Sequence, residues 1–396
     1  MVGGRRSLQK LLPVLVVCCI VVSVVINFTS LCVFYLGDSV HPEKSRGEYS
    51  SVHQNQNVTK EYYQSVNEHI KTVQNSTTKA YQPKNELIID AVFTYLNGSD
   101  PQFHKEMRVF NQHISPNRIR DYGQLRYAMS SAYYNAPFIR NFILVISSKT
   151  KGTQVPYWLN TSHSRIRVIE HKEIWDDVSD LPSMNSNAIE WATMNIPDIA
   201  ELIFYFNDDM SLQRPLKIED IYAGKNMIIL HEAWPAPRYE GEAEDAYGKS
   251  LFYVSKLFDK RYRRTVRNVG SHVPMLFNVT IMKMIKNDWS EEFKQMYKMK
   301  PFRTDKDMQT QFTYQQYVRH HFQTRVVKDD HHFVGLKKDL KENDETFRRV
   351  KEVRKQYLCL QDGIKMYDQY PSKAIIEQVE KFYEDWFPVR APWEID

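Results

Sequence analysis

Leu202-Ile-Phe-Tyr-Phe-Asn-Asp-Asp209 decides the fold. Five apolar or aromatic residues in a row, without alternation, suit a strand covered on both faces. The run stops on Asn207-Asp208-Asp209, so two carboxylates stand where a strand ends. Similar short runs lie upstream: Ile88–Thr94 (IIDAVFT), Asn141–Ser147 (NFILVIS) and Ile166–Ile169. Helical spacing falls between them. After Asp121, read as an N-cap, Leu125, Ala128, Met129, Ala132 and Tyr133 recur at i, i+3, i+4, i+7 and i+8. A second helix is expected over Asn187–Ala200. Alternating strands and helices predict an α/β layered fold with a largely parallel sheet. The last 60 or so residues read as helical and charged.

In such sheets ligands sit beyond the carboxyl ends of the strands. Two polar clusters take that place: Asn97-Gly-Ser-Asp100 after the first run, and Asn207-Asp208-Asp209. Paired strand-end carboxylates offer hard oxygen ligands, so Asp208 and Asp209 are candidates for Mg²⁺ or Mn²⁺. Ser271-His272-Val-Pro274 sets a histidine, a group that titrates near neutrality, in a turn. In Phe302-Arg303-Thr304-Asp305-Lys306-Asp307-Met308, Thr304 and Asp307 have capping-box spacing. They are expected to open the helix carrying Met308, Phe312 and Tyr317, with Arg303 beside its N-terminus. Glu190 stands on the second helix. The acidic stretch Glu240–Asp245 reads as solvated, and Asp329-Asp-His-His332 as an exposed turn.

Composition sets the outer bounds. Hydrophobic residues are 42% and charged residues 26% of 396, which excludes disorder throughout. Lys+Arg 53 against Asp+Glu 48 gives +5, too small and too scattered an excess for a nucleic-acid surface. Of the four cysteines, Cys18, Cys19 and Cys32 lie in or beside one N-terminal apolar stretch. Cys359 alone remains in the rest of the chain, which rules out a cysteine-based framework there.

That stretch, Leu11 to Leu36, is long enough to span a bilayer as a helix of about 20 apolar residues. Arg5, Arg6 and Lys10 precede it without an acid, which predicts a cytosolic tail over 1–10 and a single transmembrane signal anchor over 11–36. A cleaved signal is the alternative. Residues 37–86 are polar and read as a luminal stem. Sequons at Asn57, Asn75, Asn160 and Asn278 agree with a luminal chain.

Four blocks in fixed order resemble the Stealth family of sugar-phosphate transferases. That family includes the catalytic subunit of N-acetylglucosamine-1-phosphotransferase and bacterial capsule polymerases. The blocks are Ile89–Asp100; Arg118–Tyr127, running on through Trp158–Asn160; Leu181–Ser183 with Asn187–Glu190 and Tyr205–Asp209; and Cys359–Asp362 with Phe382–Pro388. Ser271–Pro274 and Phe302–Gln309 match the segment between the last two.

The resemblance covers residues 87–396 and implies a nucleotide-sugar transferase-like catalytic domain. It carries the family's catalytic positions onto Glu190, Asp209, His272 and Arg303. It also implies a metal-bound diphosphate and a UDP-sugar donor, with N-acetylglucosamine favoured. On this reading the acceptor would be a glycan or glycoprotein hydroxyl, UMP would be released, and the setting would be a type II membrane protein of the Golgi. Asn97, Asp100 and Asn207 are candidates for donor contacts. The proton acceptor is His272 or Glu190, and the residues leave that choice open. Two alternatives stand beside this reading: a metal-dependent glycosyltransferase releasing UDP, and a non-catalytic membrane-anchored carbohydrate-binding protein.

Overall fold

The computed structural model describes residues 87–395, apart from residues 109, 111–114, 148–153, 225–226, 300–301, 328–329 and 365–371. The anchor expected over 11–36 and the stem over 37–86 lie outside the described residues. Among those described, no helix is long and apolar enough to cross a membrane.

Strands β1 (Ile89–Thr94), β2 (Ile139–Ile146), β3 (Ile166–Glu170), β4 (Leu202–Asn207) and β8 (Met275–Asn278) form one sheet in the order β3-β2-β1-β4-β8. The first four are parallel and β8 runs antiparallel to β4. The apolar runs thus do become parallel strands, as read. Two faces account for the lack of alternation. Ala91 and Phe93 of β1 pack with Phe204 and Phe206 on one side. Val92 packs with Ile203 and Tyr205 on the other. Each strand buries both sets of side chains, so each must be apolar throughout.

Helix α1 (Pro101–Arg108) follows β1, and α2 (Gln124–Asn135) leads to β2. Asp121 does not cap α2. Gly123 holds the N-cap at φ +80°, a left-handed conformation that favours glycine, while Asp121 accepts from the Gly123 N–H at 2.7 Å and from Tyr95 Oη at 2.7 Å. The second helix is shorter than expected. It is α3 (Ser186–Ala192), capped by Asn185, and only a 3₁₀ turn, Thr193–Asn195, continues it. Pro197 has no N–H to carry a helix on to 200.

Two three-stranded mixed sheets were not foreseen. One joins β5 (Met210–Leu212), β10 (His331–Gly335) and β11 (Tyr357–Gln361); the other joins β6 (Met227–Pro235), β7 (Asn268–Gly270) and β9 (Gln323–Val327). Helices α4 (Ala246–Arg261), α5 (Val279–Asp288), α6 (Ser290–Met299) and α7 (Thr310–His321) cover the face that carries Val92. Helices α8 (Leu340–Glu352) and α9 (Lys373–Glu384) flank β11 in sequence. The C-terminal segment is therefore not helical throughout, because Tyr357–Gln361 is a strand.

Long-range ion pairs bring the separated blocks together. Arg120 Nε lies 2.6 Å from Asp362 Oδ2, both nearly sealed from solvent. Glu394 accepts from Arg126 and Ser130 of α2, and Trp393, fully buried, packs against Phe142 and Tyr133. The tail is held as part of the core.

Candidate active site

A cavity of about 210 Å³ opens beside the carboxyl end of β4. Its lining includes Glu190, Asn207, His272 and Arg303, which are 113 positions apart at the extremes and come from separate elements. Trp234 and Phe333 also line it.

A hydrogen-bonded chain fixes the histidine. Thr94 Oγ1 lies 2.8 Å from Tyr205 Oη, and Tyr205 Oη donates to Asn207 Oδ1 at 2.9 Å. That contact orients the Asn207 amide, so its Nδ2 faces His272 Nε2 at 3.2 Å. An NH₂ group can only donate, so Nε2 carries the lone pair and Nδ1 the proton. Nδ1–H then meets Cys359 Sγ at 3.0 Å, and Cys359 donates to Asp209 Oδ2 at 3.4 Å. Burial pushes the His272 pKa below its ordinary value, against the pull of Asp209, and so favours the neutral ring. Burial and Asp209 push the Cys359 thiol well above its own, which keeps the proton that completes the chain.

Glu190 and Arg303 line the same cavity. Burial raises Glu190 from the ordinary carboxylate value to about 7, opposed by the nearby Arg303 charge and a hydrogen bond with Thr310. A carboxyl tuned to neutrality in a cleft is a functional candidate. Arg303 Nε donates to Ser186 Oγ at 2.8 Å, at the first turn of α3.

The expected capping box opens a turn rather than a helix. Thr304 N and Oγ1 both donate to Asp307, at 3.1 and 2.8 Å, while α7 begins only at Thr310 and is capped by Gln309. The Asp307 carboxylate also accepts from Asn185 and Asn187. It clasps the Arg303 loop to the start of α3, so Arg303 stands beside that helix instead of α7.

Asp208 and Asp209 are adjacent and half-buried. Burial, then Asp209, then Asp121 push Asp208 well above its ordinary value. Asp209 Oδ1 is buried with no hydrogen-bond partner among the described residues. Crowded acids with an orphaned oxygen fit a divalent cation, which would neutralise them. Ligand atoms of Asp209, His272 and Cys359 all lie within 4.8 Å of one another. These three donors could hold an ion only after His272 Nδ1 and Cys359 give up the protons of their hydrogen-bonded chain, so they stand beside the Asp208–Asp209 pair read from the sequence.

Asn97 and Asp100 do not line the cavity. Asn97 Oδ1 accepts from Ser99 N–H, while Asp100 accepts from Gln102 N–H at the start of α1 and from Gln154. Gly98 lies so close to Ile119 that a Cβ would meet its carbonyl oxygen at 1.7 Å. Asp330 accepts from Arg214, and His332 Nε2 contacts the Val353 carbonyl. That turn is tied up structurally, as is Asp245, which caps α4.

Cys359, Trp234, Phe333 and Ser186 were not singled out for a role. Cys359 alone carried a signal, as the sole cysteine outside the N-terminal stretch and the first residue of a matching block.

Comparison with known proteins agrees with the sequence blocks. Residues 118–229 match Stealth protein CR2, conserved region 2, and residues 271–320 match Stealth protein CR3, conserved region 3. Together these two matched regions contain Glu190, Asp209, His272 and Arg303. The exopolysaccharide phosphotransferase CpsY of Mycobacterium tuberculosis is 26% identical over 327 residues, covering 77% of this chain and 58% of that protein. The capsular polysaccharide phosphotransferase SacB of Neisseria meningitidis serogroup A is 26% identical over 330 residues, covering 79% and 58%. The chain therefore spans little more than half the length of these relatives. Among solved structures, the galactosyltransferase LgtC in complex with donor and acceptor sugar analogues overlaps 76% of this chain and 96% of its own, at TM-score 0.40 and 11% identity.

Proposed function

We propose that this chain transfers a sugar-1-phosphate from a nucleotide-sugar to a glycan hydroxyl. The convergence of Glu190, His272 and Arg303 on one cavity carries the reading. Phosphoryl transfer asks for positioning and for charge stabilisation at the phosphate that moves, with one group to take the hydroxyl proton. A sugar binder has no need for this set. The named relatives, both phosphotransferases of polysaccharides, support the same class.

The acceptor oxygen attacks the phosphorus attached to the sugar. A new P–O bond forms to the acceptor, the P–O bond to the nucleotide's own phosphate breaks, and UMP leaves from a UDP-sugar, with UDP-N-acetylglucosamine the favoured donor. His272 Nε2 accepts the hydroxyl proton once the acceptor hydroxyl takes the place of the Asn207 amide on its lone pair, with Nδ1–H still held by Cys359. The planar fork of Arg303 holds the transferred phosphate. Ionised Glu190 keeps the guanidinium in place from α3. Its value near 7 also supports a second reading, in which Glu190 takes the proton. Asp209 with Asp208 would hold Mg²⁺ or Mn²⁺ through their carboxylate oxygens. When bound, the ion supplies charge neutralisation at the diphosphate.

The apolar 11–36 stretch supports a single-pass type II setting in the Golgi membrane, with residues 87–396 in the lumen. Glycosidase digestion of the membrane-bound protein checks this orientation; an unglycosylated chain open to protease on sealed vesicles would contradict it. The reaction itself is tested by its by-product. With UDP-N-acetylglucosamine, metal and a glycan acceptor, UMP should appear in step with an acceptor phosphodiester. UDP with no phosphate on the acceptor would replace this reading with a glycosyltransferase.

A further inference from the structure

Two aromatic side chains at the cavity remain unaccounted for by the phosphate chemistry. Trp234 ends β6 and is 51% exposed, while Phe333 sits mid-strand in β10 and is 47% exposed. They come from the two different small sheets yet line the one cavity that holds Glu190, His272 and Arg303. The Trp234 side chain makes no hydrogen bond or ring contact among the described residues, so the core does not explain its placement. The Phe333 ring meets the His272 ring edge-on, with centroids 5.7 Å apart. Whatever stacks on Phe333 therefore lies beside the imidazole whose Nε2 now accepts from Asn207 and would take the hydroxyl proton.

We propose that Trp234 and Phe333 form the acceptor subsite and bind the apolar faces of pyranose rings. A pyranose presents C–H groups on its faces and hydroxyls round its edge. Aromatic faces, electron-rich at the centre, take up such C–H surfaces, and rigid aromatic anchors do so at low entropy cost. The donor's diphosphate belongs with Arg303 and the strand-end acids, whose charges the aromatic pair does not supply. A ring seated on Phe333 turns an edge hydroxyl toward His272, which is the geometry that acceptor attack requires. The subsite rests on the phosphotransfer reading for its role, but sugar binding by itself does not depend on which nucleotide leaves.

The test separates the two. Titrate the full chain with neutral trisaccharides (mannotriose, maltotriose and chitotriose) and, separately, with UDP plus Mn²⁺, following each by calorimetry. At least one trisaccharide should bind. Trp234→Ala and Phe333→Ala should each weaken it by about tenfold, in the range of an aromatic contact. UDP affinity should stay within about twofold, a surface-substitution effect, and Trp234→Phe should retain most trisaccharide binding. Equal loss of UDP affinity would assign the aromatics to the nucleobase and overturn the proposal. So would trisaccharide binding that ignores both substitutions, or none in the parent chain. A UDP by-product would sink the phosphotransfer reading and leave these affinities untouched. Both side chains are half-exposed, so an unchanged melting temperature is expected and shows that the variants fold.

Discussion

The two ends of the main sheet could hardly differ more. At the amino ends of β1 and β4 lies a groove of about 840 Å³, lined by Leu87, Ile88, Leu202, Ile228 and Met284 among others. At the carboxyl end the cavity has about a quarter of that volume. Yet the larger hollow holds little unspent chemistry. Its Arg140 is paired with the fully buried Asp90, and its Asn278 caps α5. Asp90 also accepts from the Asn141 and Ala200 N–H groups, which pins this end of the sheet. The small cavity gathers a carboxyl raised to about 7 and a neutral histidine, which Cys359 links to Asp209 with its orphaned oxygen. Convergent polar groups with displaced titrations mark a reactive site, and volume does not. Substitutions at the two ends should therefore fall into separate classes.

The largest effect belongs to Arg303. Arg303→Ala should cost about 3–5 kcal/mol in kcat/KM, the scale of an arginine that stabilises a transferring phosphate. Arg303→Lys should recover little, since a point charge cannot replace a bidentate fork. Steady-state kinetics on both variants provide the check. Full recovery by lysine would mean that Arg303 contributes charge alone. Asp209→Asn follows, with a loss of about 10²-fold in turnover, or about 3 kcal/mol. It should also weaken Mn²⁺ binding measured directly by paramagnetic resonance.

Glu190 gives a pH signature. Its folded value of about 7 lies above the unfolded value of 4.5. Below 4.5 both states hold the proton, so burial costs nothing. Between 4.5 and 7 the unfolded state loses it first, and stability falls as pH rises. Glu190→Gln should therefore stabilise the fold at pH 8 by up to about 3 kcal/mol relative to the parent, and by little at pH 4. The same variant should remove the limb near pH 7 from kcat/KM. If that limb survives in Glu190→Gln and vanishes in His272→Asn, the proton goes to histidine. Denaturant melts at the two pH values and a pH–rate profile decide both points.

A smaller effect tests the chain behind His272. Cys359→Ala leaves the Nδ1 donor of His272 without its partner, at about 1–3 kcal/mol. Its kcat should fall about tenfold, with KM little changed. Cys359→Ser keeps a donor and an acceptor in place and should restore most of the rate. If serine is as poor as alanine while added Zn²⁺ or Mn²⁺ no longer binds, Cys359 is acting as a metal ligand instead. Nitrogen NMR of the His272 ring reads the tautomer directly.

How far the sequence could carry the reader depended on the range of each interaction. β1 and β4 were legible because doubly covered strands must be continuously apolar. β6 and β10 were not, since half-exposed strands such as HHFVG have no such signature. Helix α3 was drawn too long because Trp191, Met194 and Ile196 keep an apolar pattern past its end while the backbone turns at Asn195–Pro197. The box at Thr304 formed its local hydrogen bonds, but Asp307 spent its remaining capacity on Asn185 and Asn187, more than a hundred residues away. Glu190, Asp209, His272 and Arg303 could be named from the linked blocks. That a cysteine 150 positions beyond Asp209 would sit between it and His272 depends on β5 pairing with β11, which no local pattern announces.

The comparison of the two ends is sharpest where the smallest effect is expected. Ile88 and Met284 border the amino-end groove and are 46% and 41% exposed. Neither touches the Asp90 cluster through a polar group, and half-exposed side chains of this kind give up little burial when shortened. Ile88→Ser and Met284→Ser should change stability by about 0.5 kcal/mol or less and kcat/KM by no more than about twofold. The Asp90 cluster predicts a contrast within the same end. Asp90→Asn would leave the half-exposed Arg140 with only the Asp198 carbonyl and weaken the acceptor shared by the Asn141 and Ala200 N–H groups, at about 1–3 kcal/mol of stability. Its kcat/KM, measured well below the melting point, should stay near that of the parent. A tenfold fall in kcat/KM for Ile88→Ser or Met284→Ser, with an unchanged melt, would break the comparison, because it would show that the apolar end takes part in turnover.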